Sequence, residues 1–408
     1  MNPIRFAFAK KIAQALPMYR VAKTWINRIR NPWWEARVIA HRNHIRARAR
    51  ARQISYAPAA IRAQIRARVS RKRLQPPAAR VLRIFSVYCS RGWTGDNLPA
   101  VLKNFGTVRH FELDAFADGD PYSWFRQQRT AQNKVLLDDL RAWHSEAPVD
   151  VFFYYGGGLE LQRATLRAIN ALGIATFSMG LDDLSGLSKG KIDGEEIALA
   201  ELAPDFDLCY TSTLAACEEY LLLGARPYYL PMGANPQIYR RLDLPRDIPI
   251  AFFGQKHGVR AALVRALAAK GIAVQTFGAG WSSGSVPIDR LVELINRSQI
   301  VLGHGHHSPY AESLDARLTC LKARDFEIPM CGAVYLTTFD PELAFWFAIG
   351  AEVMCYRTAD DLYDTIHYLL NHPQKLESIR EATWRRAHRE HTWEQRFAEL
   401  FSVLGVLA

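Results

Sequence analysis

Short β-rich runs alternate with amphipathic helical patterns from Val81 onward, and this alternation constrains the fold more than any other feature. One series extends from "VLRIFSVY" (81–88) to "RPYYLPMG" (226–233), and a second begins at "IPIAFFG" (248–254). Strand–helix alternation is typical of right-handed crossovers in parallel sheets. The sequence therefore predicts an α/β protein with two doubly wound, Rossmann-like domains. Because such sheets bind ligands at the carboxyl ends of their strands, we expect the domains to face a cleft.

The domain boundaries follow from the segments between these two series. The stretch "ANPQIYRRLDLPRD" (234–247) is polar and contains prolines, which is typical of a linker. We predict four parts in chain order. They are a basic, mainly helical N-terminal arm (1–80), an N-terminal Rossmann-like domain (81–240), a C-terminal Rossmann-like domain (241–385) and a closing helix (386–408).

Positive charge is concentrated at the start of the chain. The net charge is +12, yet residues 1–80 contain 20 Lys/Arg and one acid, so the other residues carry 32 basic and 39 acidic groups. No apolar run is long enough to predict a spanning helix, and Arg5, Lys10 and Lys11 interrupt any secretory signal. The six cysteines form no CxxC motif, which favours a reducing compartment. We expect a cytoplasmic protein that the arm could hold peripherally at the inner face of a membrane.

Several partners fit the basic arm. The stretches "HRNHIRARARARQ" (41–53) and "IRAQIRARVSRKR" (61–73) have helix-forming composition, and Trp and Ile occur between the charges of residues 1–80. This pattern indicates an anionic membrane surface or an acidic protein partner. Nucleic acid is not favoured, since no RNP, KH or helix-turn-helix pattern is present. A solvated extension and an organelle transit peptide remain open.

The stretch "LTCLKARDFEIPMCG" (318–332) carries the most suggestive polar residues. If residues 318–329 are helical, Arg324 and Glu327 share one face with Thr319 or Cys320. We expect Pro329 to end or kink this helix before the turn at Gly332.

Two interpretations fit these polar side chains. A carboxylate at Glu327 can accept hydrogen bonds from the vicinal hydroxyls of a ribose, while Lys322 and Arg324 offer positive charge to a diphosphate. In the other interpretation, Arg324 and Glu327 form an ordinary i, i+3 ion pair on a solvated helix. The spacing alone does not separate the two.

The string Arg324-x-Phe326-Glu327-x(3)-Cys331-Gly332 resembles the C-terminal domain of the CgeB-like glycosyltransferases, a branch of the group-one GT-B superfamily. Three further segments are similar to that family in order and spacing, and together they cover about 85–405. They are "FDLCYTSTLAACEEYLLLGARPYYLPMGANPQIY" (206–239), "FFGQKHGVRAALVRALAAKGIAVQTFGAGW" (252–281) and "EHTWEQRFAEL" (390–400).

The resemblance implies a GT-B enzyme that moves a sugar from a nucleotide sugar to a glycan, lipid-linked or protein acceptor. It places the donor mainly on the C-terminal domain and the acceptor on the N-terminal one. Glu327 would bind the ribose, Gly254 would begin the phosphate loop, and Arg260 would contact the diphosphate. Phe277 and Gly278 would lie near the base. No cofactor is implied beyond the nucleotide sugar itself.

Glycosyl transfer passes through an oxocarbenium-like state while a nucleoside diphosphate leaves with growing negative charge. Glycine-rich backbone, helix N-termini and cationic side chains can stabilise that charge without a metal. Residues 254–260 and 303–322 supply such groups. Within the second segment, "GHGHHSPY" carries His304, His306 and His307, which we expect to line the donor cleft rather than bind zinc.

An acceptor base should come from loops that follow strands of the N-terminal domain. Asp96, Glu160, Asp182 and Asp183 all lie just past predicted strands. Each could instead cap a helix or occupy its first turn. Asp182 and Asp183 are the preferred pair because CgeB-like proteins tend to have acids there.

The chain departs from the pattern of group-one relatives at one position. Many of them carry a glutamate eight residues before the ribose-binding acid, and here that residue is Thr319. Two other functions therefore stay open. One is a catalytically idle GT-B binding or scaffold protein that acts through its basic arm, and the other is a nucleotide-sugar epimerase.

Overall fold

The computed structural model describes residues 17–72, 81–113, 121–188, 190–196, 198–256, 258–307 and 318–407. These residues divide into two compact units. One unit contains Arg240–Arg386 together with the chain up to Ala40, and the other contains His41–Tyr239 together with the chain from Ala387. We call them the five-stranded and the six-stranded unit, after their main sheets.

The main sheet of the six-stranded unit is entirely parallel, with strand order β2-β1-β3-β4-β7-β8. A short antiparallel pair, β5–β6, lies outside it. The strands are β1 (Leu82–Tyr88), β2 (Gly106–Phe111), β3 (Val151–Tyr155), β4 (Ala175–Gly180), β5 (Lys191–Ile192), β6 (Glu195–Glu196), β7 (Leu208–Thr211) and β8 (Pro227–Tyr229).

The sheet of the five-stranded unit is also parallel, with order β10-β9-β11-β12-β13. Its strands are β9 (Ile248–Phe253), β10 (Gln275–Phe277), β11 (Ser298–Leu302), β12 (Val334–Thr338) and β13 (Met354–Tyr356). The strand order reverses between β9 and β11. In parallel sheets this reversal marks the place where loops part and ligands bind.

Helices connect the strands of both sheets. In chain order they are α1 (Pro17–Ala51), α2 (Pro58–Lys72), α3 (Trp93–Lys103), α4 (Pro121–Gln127), α5 (Arg129–Glu146), α6 (Arg163–Ala171), α7 (Leu199–Leu202), α8 (Cys217–Leu222), α9 (Val259–Ala269), α10 (Ile288–Arg297), α11 (Arg324–Met330), α12 (Ala359–Leu370), α13 (Pro373–Glu390) and α14 (Trp393–Leu404), with 3-10 turns at Asp183–Ser185, Leu214–Ala216 and Pro341–Phe345. No helix among the described residues is long and apolar enough to cross a membrane.

Each sheet has its own apolar core. In the six-stranded unit Phe153 of β3 stacks on Phe177 of β4, with ring centroids 4.7 Å apart, and Phe397 of α14 contacts both rings edge-on. In the five-stranded unit, α12 packs Leu362 and Ile366 against the sheet. Strands covered on both faces need continuous apolar runs, which is why "VFFYY" and "IAFF" appear in the sequence.

The helix α2 packs into the six-stranded unit, although the sequence assigned it to a basic arm. Ile61, Ile65 and Val69 recur every four residues and are almost fully buried. Around this stripe Arg68 bonds Asp207 at 2.9 Å, and Lys72 also pairs with Asp207. The basic residues of α2 therefore serve partly to hold the helix on the protein.

The connection between β2 and β3 contains two helices. These are α4 and α5, which are separated at Gln128. The next residue, Arg129, is buried, with its guanidinium 4.6 Å from the ring centre of Phe125 and bonded to the carbonyl of Leu161. Arg129 is thus the first residue of α5, directly after the break between the two helices.

Candidate functional site

The loops after β9 and β11 in the five-stranded unit bring together several residues singled out in the sequence. β9 ends at Phe253, and Gly254 follows with φ of 137°, a conformation that side chains rarely adopt. A Cβ atom at Gly254 would lie 3.2 Å from Nη1 of Arg260 and would overlap the guanidinium of Arg324. The glycine thus provides both the turn and the room for two arginine side chains.

Arg260 belongs to the first turn of α9 and points back at the loop after β11. Its Nε donates to Nε2 of His304 at 2.9 Å, and its Nη1 donates to the carbonyl of Gln255 at 3.0 Å. The other ring nitrogen, Nδ1, accepts a hydrogen bond from the backbone N–H of His306 at 3.3 Å. His304 is itself buried, with 4% of its surface exposed.

The second guanidinium, from Arg324, is anchored by a hydrogen bond to the carbonyl of Phe253. Both arginines lie beside the ring of Phe252, with guanidinium carbons 5.9 Å (Arg260) and 5.8 Å (Arg324) from its centroid. His304 stacks on the same ring at 6.3 Å. Phe252 is therefore a platform for the cluster, and the sequence reading missed this role.

The two arginines repel each other. Burial, and then the charge of Arg324, lowers the pKa of Arg260 to about 9. The partners of the two arginines are His304 and backbone carbonyls, and neither arginine forms an ion pair with an acid among the residues that the structure describes. Two cations held close together without a counter-charge form a site that an anion would stabilise.

The predicted base-side residues lie next to the same loop. Phe277 stacks on Phe253 with centroids 5.3 Å apart, and Gly278 has φ of 132°. A side chain at Gly278 would overlap the backbone of Gly254, so the two loops touch directly. The indole of Trp281 donates to the carbonyl of Gly254 at 2.8 Å, which fixes the loop further.

The helix α11 carries Arg324 and Glu327 one turn apart. It begins only at Arg324, so the helix expected over 318–329 is wrong in its first half. Thr319 instead pairs with His306 in an isolated antiparallel bridge. The backbone hydrogen bonds of this bridge replace those of a helix. Glu327 is buried, with 6% of its surface exposed, so it is not an acid on a solvated helix face.

Asp325 is a feature that the sequence reading missed. Its carboxylate accepts hydrogen bonds from the backbone N–H of Lys322 at 2.6 Å and from the hydroxyl of Tyr335 at 2.8 Å. Burial raises the pKa of Asp325 to about 6. This carboxylate therefore fixes the entry into α11, and with it the positions of Lys322 and Arg324. The only sign of this role in the sequence was the position of Asp325 in the first turn of a helix.

The loop after β11 is built closely around Gly303. Its carbonyl accepts a bond from Tyr356 at 2.9 Å, and any side chain there would overlap the hydroxyl of Tyr335. Farther along, Nδ1 of His307 lies 3.3 Å from the sulfur of Cys320. In the described parts of the chain, no group of three His, Cys, Asp or Glu side chains could hold a metal ion.

The acids proposed as bases differ in their surroundings in the six-stranded unit. Asp183 is buried, and its carboxylate accepts hydrogen bonds from Thr211 at 2.7 Å and Tyr220 at 3.0 Å. Asp182, its neighbour in the loop after β4, is exposed. Asp183 is therefore engaged in holding the loop, whereas Asp182 faces solvent.

The other two acids show the same contrast. Glu160 is buried and accepts a bond from Tyr154 at 2.8 Å. Asp96 is exposed in the first turn of α3, where its N–H donates to the carbonyl of Gly92 at 3.0 Å. Asp96 and Asp182 are thus the candidates that solvent, and hence a substrate, can reach.

A buried arginine from α1 secures the loop that carries Asp182. Arg42 donates to the carbonyls of Asp183 and Leu184, both at 2.7 Å, and to that of Ala215 at 3.1 Å. It also pairs with Glu219 at 2.9 Å. A residue from the basic segment thereby joins the loops after β4 and β7, a role that sequence patterns did not reveal.

Residues 259–402 match the model of a protein family described as glycosyl transferase-like. This domain includes Arg260, Phe277, His304, Arg324 and Glu327. No curated protein sequence matches the chain.

Solved structures of glycosyltransferases have the same fold. Sucrose-phosphate synthase from Thermosynechococcus elongatus is 11% identical, with 79% of this chain and 99% of that chain covered and a TM-score of 0.54. A glycosyltransferase from Rickettsia africae is 10% identical over 80% and 98%, with a TM-score of 0.57. HepE from Anabaena, solved in complex with UDP and glucose, is 12% identical over 79% and 99%, with a TM-score of 0.50. These similarities confirm the predicted α/β fold of the GT-B type, with two parallel-sheet Rossmann-like domains.

Proposed function

We propose that this protein is a glycosyltransferase whose donor is a nucleoside-diphosphate sugar bound by the five-stranded unit. The observation that carries the proposal is the convergence of Arg260 and Arg324 at Gly254 without an acidic partner among the described residues. A diphosphate supplies the missing negative charge. Its charge grows as the glycosidic bond to the sugar breaks, so the two guanidinium groups stabilise the transition state more than the bound donor.

The position of Glu327 supports a role in ribose binding. It lies one turn after Arg324 on the same short helix, so one rigid element presents a guanidinium and a carboxylate together. A buried carboxylate gains most from hydrogen-bond donors such as vicinal hydroxyls. Phe277 and Gly278 would then flank the base, because their loop contacts the backbone of Gly254.

We propose that the acceptor, a glycan, a lipid-linked glycan or a protein, is activated by an acid of the six-stranded unit. Asp182 is the first candidate and Asp96 the second, because both are exposed, Asp182 in the loop after β4 and Asp96 in the first turn of α3. Asp183 holds the loop rather than taking a proton, since Thr211 and Tyr220 already donate to its carboxylate. General-base work needs a carboxylate that the acceptor hydroxyl can approach.

Three finer features belong to the same proposal. The transfer needs no metal ion, because the arginines supply the positive charge that a metal would otherwise provide. The protein belongs to the CgeB-like branch, on the motif that runs from Arg324 to Gly332. UDP is the first nucleotide to test, since the HepE structure of the same fold contains it.

The test is calorimetric titration of the full chain with UDP, GDP and dTDP and their sugars, in the presence of EDTA. We expect one nucleotide series to bind and Glu327→Gln to weaken it by about 10- to 150-fold, the equivalent of one hydrogen bond to a charged group. Glu293→Gln, which changes an exposed acid paired with Arg290 in the same unit, should leave the affinity unchanged.

Three outcomes would overturn the proposal. Binding of no nucleotide would favour a scaffold protein, and equal affinity of the Glu327→Gln variant would remove the ribose assignment. An isomerised nucleotide sugar with no transfer product would indicate an epimerase. Mass spectrometry of the sugar products distinguishes transfer from isomerisation.

A further inference from the structure

The helix α1 has a buried stripe and an exposed face. The buried positions are spaced by three or four residues, with Glu35 and Val38 in the five-stranded unit and Arg42, Ile45 and Ala49 in the six-stranded unit. The opposite positions are spaced by three, four, seven and four residues and are all exposed: Arg30, Trp33, Arg37, His44 and Arg48. We call this second set the exposed α1 face.

Trp33 is the most unusual member of this face. An indole is among the most expensive side chains to leave in water, yet 65% of Trp33 is exposed. The guanidinium of Arg37 lies 5.4 Å from its ring centre, and Arg30 lies one turn before it. An exposed indole bordered by arginines is a composition typical of interfacial helices.

The arginines of this face differ from four other cations of the basic segment. Arg42, Arg62, Arg68 and Lys72 all pair with carboxylates of the six-stranded unit. Arg30, Arg37 and Arg48 form no ion pair with any acid in the described ranges. Residues 17–72 contain a single acid, Glu35, and it is buried on the other side of the helix. The charge of the exposed α1 face is therefore not neutralised by any acid that the structure describes.

We propose that the exposed α1 face docks on an anionic lipid bilayer, with Trp33 in the headgroup region and Arg30, Arg37 and Arg48 on lipid phosphates. An indole prefers the boundary between water and hydrocarbon, where its ring is partly dehydrated while its N–H stays hydrogen-bonded. Ala36, Ala40 and Ala47 lie between the cations and are exposed as well, so the helix can approach the headgroups closely. A duplex nucleic acid would use the arginines but would give the central indole no apolar environment.

The experiment is flotation of the full-length protein with vesicles of phosphatidylcholine alone and with vesicles that also contain phosphatidylglycerol. We expect binding to the anionic vesicles and very little to phosphatidylcholine. Arg37→Gln should weaken binding about fivefold, the effect of one basic residue near an anionic surface. Trp33→Ser should weaken binding without changing its dependence on salt, since it removes apolar contact and no charge.

The matched control is Arg141→Gln, which removes an exposed arginine on α5, outside this face. Its binding should equal that of the unchanged protein, and thermal melts should show that all three variants fold. Equal losses for Arg141→Gln and Arg37→Gln would mean that net charge, not this face, drives binding. Absence of binding to anionic vesicles, or RNA binding that exceeds vesicle binding and survives Trp33→Ser, would overturn the proposal. Nucleotide titration reports separately on the proposed transfer activity.

Discussion

Replacing Arg260 by methionine is expected to stabilise the ligand-free protein while it weakens nucleotide binding. Burial and the charge of Arg324 lower the pKa of Arg260 from 12.5 to about 9, which corresponds to about 5 kcal/mol against the charged form. Solvent reduces this cost at a half-buried position, to about half. The hydrogen bonds to His304 and Gln255 each stabilise the folded protein by about 1 kcal/mol. Removal of the charge should therefore yield a net gain of about 0.5 kcal/mol.

Thermal unfolding and calorimetric titration together measure this prediction. A gain of about 0.5 kcal/mol raises the Tm by about 1–2 °C for a domain of this size. The same variant should bind the nucleotide about 10- to 150-fold more weakly, because a hydrogen-bonded cation is lost from the diphosphate. The two effects have opposite signs. An arginine that merely held the fold together would lower the Tm on removal and leave binding alone.

Arg297→Met is the matched control for Arg260→Met. Arg297 lies in the same unit and bonds Asp247 at 2.8 Å at the surface. Its loss should cost at most about 1 kcal/mol and leave nucleotide affinity unchanged. A lower Tm for Arg260→Met, together with unchanged nucleotide affinity, would refute the assignment of this cluster to the donor diphosphate.

Two further predictions concern buried charges. The pKa of Asp325 is raised from 3.8 to about 6, so its contribution to stability is fully present below about pH 4 and is lost as the pH rises through 6, by about 3 kcal/mol. Urea unfolding across this range should show the decline, and Asp325→Asn should remove it; a variant with the same decline would contradict the assignment. Arg42→Met leaves the carboxylate of Glu219 buried without its arginine and should cost about 3–5 kcal/mol in chemical denaturation. Adding Glu219→Gln should recover part of that loss, and strict additivity of the two changes would show that the pair is not coupled.

The order of strands and helices could be predicted because parallel strands carry their own signal. The runs over 149–158 and 248–254 are apolar without alternation, since both faces of such strands are covered. The structure places β3 at Val151–Tyr155 and β9 at Ile248–Phe253 within those runs. Glycine and proline mark the ends of the strands, so the bounds agree within a few residues.

The partners of buried polar residues could not be predicted. Arg42 belongs to a polybasic stretch that looks solvated, yet the carbonyls it bonds lie 141 and 142 positions later in the chain. Asp183 looked as suitable for catalysis as Asp182, because their sequence surroundings are nearly the same. Only the fold brings Thr211 and Tyr220 to Asp183 and leaves Asp182 exposed.

The local sequence pattern also gave a wrong prediction at a place where tertiary contacts compete with helix formation. Residues 318–323 have helical spacing, but the backbone around Thr319 bonds to the loop after β11 instead. The loop after β11 lies outside the residues from which this helix was predicted, so the local pattern could not reveal the competing contact. The site residues Arg324 and Glu327 kept their predicted spacing because α11 begins at Arg324 and includes both.

The last helix of the chain has a consequence for synthesis on the ribosome. Phe397 and Phe401 complete the core that β3 and β4 begin, and Ala234 pairs with Thr392 just ahead of that helix. The strands β3 and β4 thus emerge more than 200 residues before the aromatic rings that seal them. Until translation reaches α14, Phe177 lacks its contacts with Phe397 and Phe401, and we expect nascent chains to be prone to aggregation at this core. A stop codon after residue 386 would be expected to damage the half of the protein that was made first.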